Sequence, residues 1–209
     1  MSEPTLAYDK NKTTINCYNK KASDFSARFL SLDTRGLCQR FLSLLPEKAH
    51  ILDIDCGPGR DTKYFLDHGH QVTAFDAAEE FVKLARQHTG HPILHMTFED
   101  MTFQEEFDGI WSMASLLHLS PQALLEVIEK NLIPALKSQR ILYLCFKYGE
   151  GENISPDGRY FTDCSEESLQ SLLDQFEALS IIDIWASEDS APDRKGRLWI
   201  NGLVQKDKL

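Results

Sequence analysis

The stretch Ala49-His50-Ile51-Leu52-Asp53-Ile54-Asp55-Cys56-Gly57-Pro58-Gly59-Arg60-Asp61 decides how the rest of the chain is read. Its first half is a short apolar run, the pattern of a buried strand. Its second half is a tight turn in which Gly57 and Gly59 bracket Pro58, and Thr62-Lys63-Tyr64-Phe65-Leu66 then takes helical spacing. Strand, glycine turn and helix in that order form a nucleotide-binding geometry. Glycine lets backbone approach a ligand closely, and the first helical turn presents unpaired N–H groups at the positive end of its dipole. The dinucleotide pattern G-x-G-x-x-G is not completed, because Thr62 stands where the third glycine belongs.

A chain of 209 residues is long enough for one α/β domain and short for two. Apolar content of 42%, with 10% aromatics, is enough for a packed core. A formal net charge of −10 argues against nucleic acid or an anionic membrane as the main partner, which leaves a small molecule or a basic peptide. No apolar run approaches membrane length and no N-terminal stretch reads as a signal peptide. The cysteines at 17, 38, 56, 145 and 164 include no C-x-x-C pair. They suit reduced thiols in a cytoplasmic protein, with no disulfide framework and no metal site. The expected state is a monomer or homodimer.

Around the glycine turn the pattern alternates strand and helix. Residues 1–12 are polar and read as frayed, after which Tyr18, Ala22, Phe25, Phe29 and Leu32 space one face of a helix. A second helix covers about 34–45 with Leu37, Phe41, Leu44 and Leu45 inward, and Pro46 stops it. After the helix from Arg60 to His68, with Gly69 as its cap, Gln71-Val72-Thr73-Ala74-Phe75 forms a strand ending in Asp76. A carboxylate at that tip can accept hydrogen bonds from both ribose hydroxyls of a nucleoside lying over the first strand; the competing role is capping the helix that follows. Residues 92–96 form a third strand, 107–112 (FDGIWS) a fourth and 140–146 (RILYLCF) a fifth. Ser120-Pro121 opens a helix. Residues 147–164, rich in Gly, Pro and Asp, read as a long functional loop. A helix from Ser165 and two strands, 179–186 and 198–205, close the chain.

Taken together, ILDIDCGPG, Asp76, the acidic segment 97–103, FDGIW and the closing strand pair resemble the class I S-adenosylmethionine-dependent methyltransferases. Through GRD after the turn and SLLHL after the fourth strand, the chain is similar to small bacterial methyltransferases related to tellurite resistance. The resemblance implies an α/β, three-layer α-β-α Rossmann-like fold. Its mostly parallel seven-stranded sheet would run 3-2-1-4-5-7-6 with an antiparallel last strand. Residues 1–209 would form one domain, with 1–47 a helical lid and 48–209 the core. The cofactor implied is S-adenosyl-L-methionine, leaving as S-adenosyl-L-homocysteine. Its implied contacts are Tyr18, Asp53, Asp55, Cys56, Gly57, Gly59, Arg60, Asp76, Ala77, Phe98, Glu99, Met101, Ser112 and Met113. Where the family pattern has glycine this chain has Asp55, whose charge Arg60 or the cofactor's ammonium can offset.

Methyl transfer from a sulfonium needs chiefly alignment and desolvation, and a base only where the acceptor must lose a proton. His118, just past the fourth strand, is the candidate base, since an ordinary histidine pKa suits the task. Its competing role is a packed structural histidine. Arg159, Tyr160, Arg194 and Trp199 are the candidate contacts to a small-molecule acceptor, and the arginines favour an anionic one. A non-catalytic S-adenosylmethionine-binding protein and a nicotinamide-dependent oxidoreductase are the alternatives.

Overall fold

In the computed structural model, which describes residues 4–208, β1 (His50–Ile54) lies in the middle of a sheet, parallel to β2 (Gln71–Asp76) on one side and β4 (Phe107–Met113) on the other. The remaining strands are β3 (Leu94–His95), β5 (Leu136–Lys147), β8 (Leu179–Glu188) and β9 (Leu198–Lys206). The seven-stranded order is β3-β2-β1-β4-β5-β9-β8, with β9 antiparallel to both neighbours. That is the order the sequence predicts, with the last two strands renumbered by an extra hairpin.

The middle of the sheet is buried on both faces, and its side chains alternate between two cores. Along β5, Ile141, Tyr143 and Cys145 join one core while Leu142, Leu144 and Phe146 join the other. The first core is covered by α3 (Arg35–Leu42), α4 (Arg60–Asp67) and α5 (Glu79–Thr89), through Cys38, Phe41, Phe65, Val82 and Ala85. The second is covered by α6 (Pro121–Val127), which runs through a π-helical turn into α7 (Ile133–Ala135), and by α8 (Glu166–Leu173). Each fully buried leucine or phenylalanine contributes about 1.5–3 kcal/mol. The glycine of FDGIW has a steric cause. A Cβ on Gly109 would stand 2.6 Å from Phe41 Cζ and 2.8 Å from Leu45 Cδ1, so α3 rests on bare sheet backbone.

Four local expectations change. Of the segment 1–12 read as frayed, residues 1–3 lie outside the described residues and 4–12 belong to α1 (Pro4–Lys20), which a break at Lys21 separates from α2 (Ala22–Leu30). Leu44 lies past the end of α3 and is 40% exposed rather than inward. The third strand shrinks to β3, whose two residues are exposed. Residues 147–164 are not a loop: β6 (Gly151–Ile154) and β7 (Tyr160–Asp163) pair as an antiparallel hairpin. Ser155, Pro156, Asp157 and Gly158 supply its turn, closed by Ser155 N–H to Arg159 O at 2.9 Å.

Candidate active site

A cleft opens where β1, β2, β4 and β5 end, beneath α1 and α2. The chain leaves β1 through three left-handed residues in five: Asp55 at φ +49°, Gly57 at +55° and Gly59 at +85°. At Gly59 a Cβ would meet Thr89 Cγ2 at 2.7 Å, so this glycine lets α4 approach α5. At Gly57 a Cβ would point across the cleft to Phe29, 3.9 Å away. The Gly57 amide donates to Asp76 Oδ2 at 2.8 Å and the Ala78 amide to Oδ1 at 2.7 Å. Asp76 therefore ties the glycine turn to the start of α5, and each oxygen keeps a lone pair for the cleft. The helix N-cap itself is Ala78.

Three carboxylates share this end. Asp53 accepts from Thr62 Oγ1 at 2.5 Å, which gives the residue in the third-glycine position a task of its own. Asp55 Oδ2 accepts from Ser115 Oγ at 3.0 Å. Burial raises all three: Asp53 to about 8, Asp76 to about 7, and Asp55 upward with the Asp76 charge adding to the effect. Arg60 does not offset Asp55. It forms a fork with Asp61, Nε to Oδ1 and Nη2 to Oδ2 both at 2.7 Å, and donates to Phe29 O. Asp61 also accepts from Thr34 Oγ1 at 2.7 Å and from Trp111 Nε1 at 3.0 Å.

The opposite wall is aromatic and basic. His118 Nδ1 lies 2.7 Å from the Tyr160 carbonyl, which only accepts, so Nδ1 carries the proton. Nε2 then accepts from Tyr18 Oη at 2.9 Å, and Arg159 Nη1 donates to that same hydroxyl at 3.2 Å. Burial drives His118 down to about 3 and Tyr18 up to about 12. His118 is thus neutral, unlike the ordinary histidine the sequence suggests. It serves as an acceptor that fixes Tyr18, and is too weak a base to hold a proton at neutral pH. Arg159 lies over the Phe25 ring, 4.6 Å from its centroid.

Of the residues singled out from sequence, Tyr18, Asp53, Asp55, Cys56, Gly57, Arg60, Asp76, Ala77, Phe98, Met113, His118, Arg159, Arg194 and Trp199 line the cleft. Five stand off its wall. Gly59 is under α5, and Glu99 is exposed on the single turn Phe98–Asp100. Met101 and Ser112 are buried in the sheet's packing, and Tyr160 is 2% exposed behind His118. Lys147, Phe161 and Phe81 line the cleft without having been singled out. A lysine ending the apolar run RILYLCFK was a visible signal; Phe161 was hidden in an apparent loop.

Residues 52–135 match the family model described as a methyltransferase domain. Over that stretch, which runs from β1 to α7, the chain is similar to methyltransferase domains. YqeM of Bacillus subtilis, which has a methyltransferase name, is 33% identical over 136 residues, covering 59% of this chain and 52% of that protein. The ubiquinone biosynthesis O-methyltransferase of Xanthomonas axonopodis pv. citri is 32% identical over 102 residues, 45% of this chain and 43% of that one. The chain thus spans about half the length of the curated relatives it matches. In fold, the domain is similar to the Burkholderia thailandensis 1,6-didemethyltoxoflavin-N1-methyltransferase, solved with 1,6-didemethyltoxoflavin and S-adenosylhomocysteine. The TM-score is 0.80 at 20% identity, over 100% of this chain and 93% of that one. No helix among the described residues is long and apolar enough to cross a membrane.

Proposed function

We propose that the cleft binds S-adenosylmethionine and that the domain transfers its methyl group to a small-molecule acceptor. The observation that carries this reading is the acidic end of the cleft. Asp53, Asp55 and Asp76 line it, and among the described residues none of the three forms an ion pair, Arg60 being forked to Asp61. Such a group of desolvated carboxylates favours a ligand rich in donors and positive charge. Ribose hydroxyls, an ammonium and a sulfonium fit that demand, and the bare Gly57 leaves room for them.

When bound, the cofactor supplies an electrophilic methyl on a good leaving group, so the protein's part is alignment and exclusion of water. Asp76 accepts from the ribose hydroxyls, and Asp53 and Asp55 face the ammonium. Phe98 and Ala77 provide the apolar wall beside the base. Tyr18, held by His118 and Arg159, keeps the lid formed by α1 and α2 seated on the core.

Thermal unfolding with S-adenosylhomocysteine tests the reading. Ligand at a hundred times its dissociation constant adds about 2.7 kcal/mol, or roughly 5–11 °C for a domain of this size. Asp76→Asn is expected to weaken binding at least tenfold, and nicotinamide cofactors to give no shift. A wild-type protein that ignores S-adenosylhomocysteine overturns the proposal.

A further inference from the structure

Beyond Lys147 the cleft opens into a second cavity of about 300 Å³, and Lys147, Asp189, Arg194 and Trp199 stand on the walls of both. Two of the cations here are matched: Arg159 pairs with Asp157 at 3.0 Å and Arg194 with Asp189 at 3.5 Å. Lys147 and Arg197 are not, and no ion pair involves either among the described residues. Lys147 Nζ lies instead over the Phe161 ring, 2.9 Å from its centroid. Burial, with the Arg159, Arg194 and Arg197 charges, draws its amine down to about 8 against the pull of Asp163.

Asp163 is the second unfinished group. Its Oδ2 accepts from Asn153 Nδ2 at 2.7 Å, while Oδ1 is buried with no hydrogen-bond partner. It stands on the wall of the same cavity. Lys147, which has no ion pair among the described residues, and Asp163, with one oxygen still lacking a donor, therefore both stand on the wall of one cavity, beside Trp199. The other end of the cleft is acidic, so an anion is repelled there and attracted here.

We infer that this annex is the acceptor subsite and takes a small planar anion, its acidic group on Lys147 and an adjacent N–H on Asp163. The inference rests on the methyltransferase reading and adds the chemistry of the acceptor. The test is thermal unfolding of the S-adenosylhomocysteine-saturated protein against aromatic and heteroaromatic carboxylates, benzoate to orotate, each beside its primary amide. At least one acid is expected to add a shift that its amide does not. Lys147→Met should weaken that acid at least tenfold, the worth of a charge-assisted hydrogen bond. Lys147→Arg should restore most of the binding, and both variants should keep the wild-type shift with S-adenosylhomocysteine. Equal responses to acid and amide, silence from every acid, or full binding by Lys147→Met overturns the inference. A wild type without any S-adenosylhomocysteine shift brings down the reading beneath it instead.

Discussion

Replacing Asp61 by asparagine leaves the shape of the side chain and removes its charge, at a point where three elements meet. The carboxylate is 5% exposed. It holds the Arg60 fork, the Thr34 hydroxyl that precedes α3, and the Trp111 indole of β4. Removing one partner of a buried ion pair costs about 3–5 kcal/mol. Asparagine keeps one acceptor oxygen, so the expected loss is toward the lower figure, about 3 kcal/mol, or roughly 6–12 °C in the unfolding midpoint. The sign with pH follows from the Asp61 pKa, which lies below its ordinary value because Arg60 and its hydrogen bonds outweigh burial. Its stabilisation is present above the unfolded-state pKa and is lost as pH falls through the folded one. The gap between wild type and Asp61→Asn should therefore be full at neutral pH and close in acid. Urea unfolding at both pH values measures it. Adding Arg60→Met should return part of the loss, because the stranded guanidinium is gone. A single variant within about 0.5 kcal/mol of wild type, the range of ordinary surface changes, would refute this account of the hub.

Three further outcomes are expected. Asp55→Gly should raise stability at pH 8 by about 1 kcal/mol, relieving a left-handed backbone and a desolvated carboxylate beside Asp76, with a smaller gain at pH 4; a loss at pH 8 contradicts it. Gly109→Ala should cost about 1–3 kcal/mol by driving Phe41 and Leu45 off the sheet, and an unchanged urea midpoint argues against that contact. Asp76 sits at about 7 in the free cleft, so a ligand that needs its ionised form must expel a proton at lower pH. S-adenosylhomocysteine affinity should fall toward tenfold per unit below about pH 7, with proton release visible by calorimetry in two buffers; a flat profile from pH 6 to 8 sinks the ribose assignment.

The strand order was legible because β1, β4 and β5 are buried on both faces and so read as apolar runs, and because glycines at 57 and 59 mark the sharp exit from β1. Asp76 was legible for a positional reason, the end of a strand beside that exit. The hairpin was not. Its turn residues outnumber its core residues, and β6 is exposed throughout, so no alternation announces it. The partner of Arg60 was equally hidden, since its own neighbour in the chain, rather than Asp55, receives the guanidinium. The chemistry of His118 lies further still from sequence: its basicity is set by burial and by the Tyr160 carbonyl, 42 residues away.

Tyr160 is held from both sides, its amide by Thr14 Oγ1 of α1 at 3.0 Å and its carbonyl by His118. The backbone of one residue thus fastens the roof of the cleft to its floor. Its amide proton can exchange with solvent only when the roof lifts, so deuterium uptake at this single residue gauges how often the protein opens, and how far a bound ligand slows that breathing.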